Sequence, residues 1–398
     1  MFDPSRHAAL QHLERFAPNA GKAYAAKRNF DFGPDDRGNV SMLSPWVRHR
    51  LISEAEVASV ALRHHSFSAS EKFVQEVFWR SYFKGWLEHR PQVWDSYVHD
   101  LDAALARLEK DDDLKARYDR AIAGETDIEC FDFWARELVE TGYLHNHARM
   151  WFASIWIFTL RLPWALGADF FYRHLLDGDP ASNTCSWRWV GGLHTKGKHY
   201  VARASNIERF TNGRFNPAGQ LDKNPAALFE EEDLDISPMP VGDRCPDKPY
   251  ALLVTEEDCL PETLPLEKPP QFVLGVSLAT KRSPAGASER VEAFSKGAIA
   301  DALARAGEAF GCGVETIDAG NLTTRLQQLE LETLVSAFIP VGSTRDALFP
   351  GFSQMRAQGI EVRQLLRDHD RLSWPHATRG FFKLKEKIPK LATELNLG

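Results

Sequence analysis

The chain has 398 residues, 43% hydrophobic and 26% charged, with a formal net charge of −7. These are globular values, enough for one domain and more readily for two or three, and they exclude disorder as the general state. They also exclude a global basic field, so any contact with nucleic acid must come from a local patch. The five cysteines (Cys130, Cys185, Cys245, Cys259, Cys312) are scattered and form no C-x-x-C pair. A disulfide framework, a zinc site and an iron–sulfur cluster are therefore not expected, and no metal is assigned. The start, Met1-Phe2-Asp3-Pro4-Ser5-Arg6, does not read as a signal peptide. A reduced, cytoplasmic protein is expected.

Residues 1–237 are expected to be mostly helical. The loop Gly38-Asn39-Val40-Ser41-Met42-Leu43-Ser44-Pro45 comes first. Its serine hydroxyls and backbone N–H groups could solvate a diphosphate; the plainer reading is a serine N-cap before Trp46. In Phe73–Phe83 the apolar residues recur at helical spacing. Glu76, Trp79, Arg80 and Phe83 there share one face. A carboxylate, an indole and a guanidinium on one face are unusual for a plain core. A surface ion pair beside a core tryptophan is the alternative. Leu101, Leu105 and Leu108 mark another helix, and Asp111-Asp112-Asp113 reads as a solvated turn.

His145-Asn146-His147-Ala148-Arg149-Met150 opens a further helix, with His147 read as an ordinary helix histidine. Trp151–Leu166 is strongly apolar but holds Arg161 and Pro163. It is too short and interrupted for a membrane span, so a buried core helix is expected. Asp177-Gly178-Asp179 and Asn183 follow, then Ser186-Trp187-Arg188-Trp189. From Arg188 to Arg214 basic residues outnumber the single acid, Glu208. Arg188, Lys196, Lys198 and Arg203 could meet phosphates there; a solvated loop is the alternative.

The acidic run Glu230–Asp233 leads to a proline-bearing linker at 238–249. Beyond it, residues 250–398 change character. Strands are expected at Ala251–Val254, Phe272–Val276, Val314–Ile317, Leu334–Ile339 and Ile360–Leu365, with a helix from Ala298 to Phe310. Strand–helix alternation predicts a parallel α/β sheet. No G-x-G-x-x-G or Walker loop is present there, so no phosphate-binding motif is indicated in that half.

Across residues 40–217 these motifs, in this order, resemble the photolyase/cryptochrome family. The resemblance implies a mainly α, photolyase-like helical FAD-binding domain (1–237), followed after the linker by a C-terminal α/β Rossmann-like domain (250–398). The family's α/β antenna domain normally comes first, so a swapped order is implied, and the second chromophore, if any, is unassigned. Val40, Ser41, Leu43 and Ser44 match the loop around the FAD phosphates. Arg80, Arg149, Asp177, Asp179 and Asn183 match further cofactor contacts. Asp177 would pair with Arg149, Asp179 would accept from the flavin or its ribose, and Asn183 would face flavin N5. Glu76, Trp79, Asn146, Met150 and Trp189 match the groups that hold a flipped-out pyrimidine dimer. Asn146 and Met150 favour cyclobutane dimers over (6-4) products, where the family carries histidines. Trp187 and Trp164 match the first two members of an electron-transfer chain whose third could be Trp94, Trp151 or Trp156.

This chain departs from the family at Asn183-Thr184-Cys185-Ser186-Trp187, which lacks the usual glycines, and at Gly191–Lys198. The function implied is light-driven splitting of cyclobutane dimers in DNA by electron transfer from excited reduced flavin. The alternative is a blue-light photoreceptor without repair. DNA carrying pyrimidine dimers is the implied partner, no membrane is implied, and the protein is expected to be a monomer.

Overall fold

A computed structural model describes residues 2–231 and 234–398. Glu232 and Asp233 of the acidic run lie outside the described residues. The first half is helical: α1 (Arg6–Phe16), α2 (Lys22–Lys27), α3 (Ser44–Arg48), α4 (Glu54–His64), α5 (Phe67–Glu88), α6 (Gln92–Leu108), α7 (Asp112–Ala123), α8 (Glu129–Thr141), α9 (Asn146–Ser154), α10 (Trp164–His174), α11 (Pro180–Gly191) and α12 (Ala204–Phe210). The second half alternates: β1 (Ala251–Thr255), β2 (Phe272–Val276), α13 (Glu289–Phe310), β3 (Gly313–Thr316), α14 (Leu322–Gln328), β4 (Thr333–Ala337), α15 (Ser343–Ala357) and β5 (Glu361–Leu365). The chain closes with α16 (Asp368–Ser373), α17 (Phe382–Lys385) and α18 (Ile388–Glu394).

Local chemistry sets the helix starts. Ser53 and Glu56 form a reciprocal capping box at α4, which satisfies two orphan N–H groups. Asp111 accepts from Leu114 N at 2.9 Å, so the acidic run is the cap and first turn of α7 and not a free turn. Asp179 caps α11, with Pro180 in its first turn. Between α9 and Pro163 the apolar run is not one regular helix: Ile155–Thr159 is a π-helical turn. No described helix is long and apolar enough to cross a membrane.

The sheet is parallel throughout, in the order β3-β2-β1-β4-β5. β1 and β4 are buried along their whole length, as strands covered on both faces must be. α13 starts at Glu289, well before the expected Ala298. Ser288 caps it, accepting from Val291 N at 3.3 Å.

Hydrophobic packing crosses the 238–249 segment in both directions. Phe381, Leu384, Ile388 and Leu391, from beyond the sheet, join the core around Trp134, Trp151 and Trp187. Ala9 and Leu13 of α1 share a core with Val254 and Val273 of the sheet and with Phe294 and Ala298 of α13.

The strand order reverses between β1 and β4, the place where open α/β sheets usually receive ligands. Here the helical half fills it. Arg48 donates to Glu257 at 2.7 Å, and Lys84 lies 3.7 Å from the same carboxylate. Arg50 reaches Asp258 at 3.3 Å and Asp370 at 2.6 Å. Gly342 lies so close to Pro180 that a Cβ would stand 2.4 Å from its ring.

Candidate functional site

α11 lies against both α5 and α9. These three helices carry half of the residues singled out from the sequence. Glu76 of α5 is half-buried and stands 3.5 Å from Arg28. Burial raises its carboxyl above the ordinary value, with Arg28 offsetting part of the shift. Asn146 is exposed at the first position of α9, and Met150 is half-buried one turn on. His145 caps this helix through its ring and is held near pKa 3, chiefly by burial. His147 packs on Phe210 and Trp151. Trp189 is exposed and stacks on Tyr200 at 5.5 Å.

Two carboxylates on the turn before α11 behave differently. Asp177 takes Arg149 at 2.8 Å through Oδ2, while its Oδ1 is buried with no partner. Asp179 is engaged at both oxygens. Its Oδ1 accepts from Ser182 N at 2.9 Å; its Oδ2 meets Arg80 and Lys84, each at 3.1 Å. Burial alone would raise Asp179, but Lys84, Arg80 and Arg48 hold it far below the usual carboxylate range. Arg80 also donates to Glu54 at 2.9 Å and to the Arg48 carbonyl at 3.3 Å. Asp179 and Arg80 thus brace the seam between the helices and the sheet, and Arg80 keeps two N–H groups beyond these three bonds.

Asn183 is buried. Its NH2 donates to the Ala168 carbonyl at 2.8 Å, and its side-chain oxygen has no partner among the described residues. In the loop before α3, Leu43 is buried and occupies the N-cap position without a side-chain cap bond. Val40, Ser41 and Ser44 are half-buried, and Met42 adopts a left-handed φ of 52°. The Ser41 carbonyl takes His12, but neither the Ser41 nor the Ser44 hydroxyl is bonded to another described residue.

Trp187 is fully enclosed, with its indole N–H buried and unpartnered. Gly167 of α10 makes room for it, since a Cβ there would come within 2.3 Å of the ring. Its indole neighbour is Trp156, at 6.2 Å and edge-on. Trp156 in turn meets Tyr118 at 6.0 Å. Trp164 instead packs on Tyr97 at 5.7 Å and bonds Asp100. Trp94 bonds Asp346, and Trp151 stacks on Trp134.

The basic patch needs one correction. Arg188 is wholly buried and forms a two-armed ion pair with Glu230. Enclosed in that pair, it is not open to a phosphate at a pocket mouth. Lys196, Lys198 and Arg203 are exposed. The sequence also concealed Phe381, whose ring lies flat on Trp79, with centroids 3.8 Å apart and planes 11° apart. Only an aromatic residue in the last segment could have hinted at it.

Residues 73–224 match a family described as the FAD binding domain of DNA photolyase. Over 195 residues the chain is 32% identical to a deoxyribodipyrimidine photo-lyase of Agrobacterium fabrum, a match taking 48% of this chain and 39% of that protein. Over 241 residues it is 25% identical to a cryptochrome DASH of Idiomarina loihiensis, taking 59% of this chain and 51% of that one. A solved bacterial class III photolyase from Agrobacterium tumefaciens aligns with a TM-score of 0.44 at 28% identity, covering 52% of this chain and 43% of that chain. The chain thus spans well under half the length of the photo-lyases it matches.

The implied group is FAD, and part of the residue set fits it. The unpartnered Asp177 Oδ1 and the Asn183 carbonyl are acceptors suited to flavin N–H groups. The Ser41 and Ser44 hydroxyls suit phosphate oxygens. Arg80 and Asp179 already hold partners within the fold, so the fit rests less on them.

Proposed function

We propose that this chain, a member of the photolyase/cryptochrome family through residues 73–224, is an FAD-dependent, light-driven lyase that splits cyclobutane pyrimidine dimers in DNA. The observation that carries this reading is the spare oxygen of Asp177, buried beside the Arg149 ion pair and next to the helix that holds Asn183 and Trp189. A buried acceptor left unmatched costs roughly 1–3 kcal/mol, so a ligand N–H there restores what the fold gives up.

Bound FAD would supply the photochemistry, an electron lent to the dimer and returned after the ring opens. The chain's own residues bind and orient. Asp177 and Asn183 accept from the flavin edge, and Ser41 and Ser44 donate to its phosphates. Burial favours the protonated form of Glu76, which can then donate an O–H to a base carbonyl. Trp79 and Trp189 offer ring surfaces to bases, and Asn146 and Met150 border them. Lys198 and Arg203 meet backbone phosphates. In this reading 1–237 carries the chemistry, and 250–398 is an antenna-like scaffold.

A second reading is a blue-light photoreceptor without repair. Phe381 favours it, because its ring already covers one face of Trp79. The deciding experiment uses purified, photoreduced protein and oligonucleotides carrying either lesion, in blue light and in the dark. The expected result is FAD released on denaturation, light-dependent loss of cyclobutane dimers and untouched (6-4) products. Flavin without repair supports the photoreceptor, and a protein that cannot take up FAD overturns both readings.

A further inference from the structure

We propose that the cavity between the C-terminal part of α5, the loop after α11 and the segment Thr378–Gly380 is a binding site for a phosphate group. Its volume is about 270 Å³, and Tyr82, Trp86, Arg90, His194 and Arg379 are among the residues lining it. Among the described residues, no aspartate or glutamate lines it.

Arg90 is the central observation. It is 9% exposed, yet no described carboxylate is within ion-pair distance. Nη2 donates to the Thr378 carbonyl at 2.8 Å, and the guanidinium lies 4.6 Å from the Trp86 ring centre. Nη1 is buried without a partner. His194 shows the same incompleteness. Its Nε2 stands 3.2 Å from the Tyr82 hydroxyl, its ring packs on Trp86 at 4.3 Å, and its Nδ1 is buried and unpartnered. Burial, with Arg188 and Arg90 nearby, holds this histidine near pKa 4. A neutral ring that accepts from the Tyr82 O–H carries its hydrogen on Nδ1. Arg90 Nη1 is thus an open, buried cationic donor, and His194 Nδ1 is a second donor in the tautomer whose Nε2 accepts from Tyr82. Arg379 is exposed and forms no ion pair with a described residue.

Among the described residues the lining carries Arg90 and Arg379 and no carboxylate, which disfavours a metal cation, and an unpaired buried guanidinium N–H disfavours an apolar ligand. A phosphate offers several acceptor oxygens to a forked guanidinium and a ring N–H. The inference rests on the DNA reading for its source, because Trp86 stands two turns from Trp79 on the same face of α5. That places the cavity roughly 10 Å along the helix from the ring expected to meet a base, within reach of the same strand. A free phosphate monoester offers the same chemistry.

The test compares wild type with Arg90→Gln, Arg379→Ala and the double variant. Thermal unfolding without added phosphate checks that each variant is folded, and Arg379→Ala, altered only at the surface, is the safeguard. One arm measures the rise in Tm with inorganic phosphate and with a mononucleotide. The other measures oligonucleotide affinity against salt, with and without a dimer. Expected are a Tm rise in wild type that is lost in the double variant, and a log–log salt slope smaller by about one unit for each lost contact. The affinity loss should be the same with or without the lesion. A Tm rise with an unchanged slope supports the phosphate site and assigns it to a free ester, overturning the strand. No phosphate-dependent Tm rise in wild type, together with unchanged slopes in the variants, overturns the site. If wild type binds no DNA at all, the lyase reading fails and the Tm arm still decides the site.

Discussion

Asp177 and Asp179 stand two residues apart, each facing an arginine, and they differ in what is left over. Asp177 keeps a buried oxygen free beside Arg149. Asp179 has both oxygens engaged, by Arg80, Lys84 and the cap of α11. The first arrangement can take a ligand; the second is a structural joint. Residue type and spacing do not separate the two. Saturation by partners does, and those partners come from distant parts of the chain. The joint continues through Glu54, Arg48, Glu257, Arg50, Asp258 and Asp370, all of them buried.

The strongest way to break this contrast is at Arg50. It bonds Glu54, Asp258 and Asp370 while holding a left-handed φ of 49°. Removing one partner of a buried ion cluster leaves uncompensated charge and costs about 3–5 kcal/mol. Arg50→Met should lower the urea midpoint accordingly, with Arg50→Lys in between. Arg149→Met, at a half-buried pair with spare capacity, should cost much less stability and should instead weaken flavin retention. Equal losses of stability would erase the distinction between joint and site.

Acid tests the joint as a whole. Burial raises Glu257, but Arg48 and then Lys84 outweigh it and bring it to about 2, against an ordinary 4.5. A depressed carboxyl contributes stability in full above 4.5 and loses it as pH falls toward 2. His194 and His174, pushed by burial to about 4 from 6.5, act in the same direction starting nearer 6.5. Glu88 and Glu137, raised by burial to about 7, act oppositely: their contribution is present in acid and fades between 4.5 and 7. Between about pH 4.5 and 6.5 these two histidines and two glutamates offset one another, so stability measured by denaturant should be nearly level there and fall steeply below about pH 4.5, where the depressed carboxylates are protonated. A flat profile from pH 7 to 3 would show that the joint is not held by its charges.

Much of the fold was legible because its signals are local. The five strands read as short apolar runs, and β2 was placed residue for residue. α13 was read too short because its first turns hold Lys296 and Gly297, which interrupt the apolar spacing. The site was legible where the family resemblance brought both partners into view, as with Arg149 and Asp177. It was illegible where the partner is remote. Arg188 looked like a surface cation until Glu230 closed over it. Trp79 looked open until the last segment laid Phe381 against it.

Electron supply sharpens the contrast at a smaller scale. Trp187 is an enclosed indole with an unpartnered N–H. Trp187→Phe should reduce flavin photoreduction at least tenfold while flavin stays bound. Among second members, Trp156 touches Trp187 and Trp164 does not. Trp156→Phe should therefore slow photoreduction more than Trp164→Phe, as read by flavin absorbance under blue light. The reverse order would restore the assignment drawn from spacing. At the substrate side, Glu76→Gln should lower repair yield per absorbed photon a few-fold and leave the flavin spectrum unchanged. An unchanged yield would remove Glu76 from the dimer contacts.

The smallest expected effect is the most discriminating. Arg188 was expected among the phosphate contacts, but its side chain is fully enclosed and paired with Glu230. Salt dependence counts phosphate contacts, since each one releases condensed counterions. Arg188→Met should therefore leave the salt slope of oligonucleotide binding unchanged, although stability falls because Glu230 loses its partner. Lys198→Ala and Arg203→Ala, both at exposed positions, should each reduce the slope by about one unit. The measurement is affinity at several salt concentrations, well below each variant's melting temperature. A reduced slope for Arg188→Met would mean that the Glu230 pair opens when DNA binds. The buried arginine would then belong with Asp177 as a group with spare capacity, and not with Asp179.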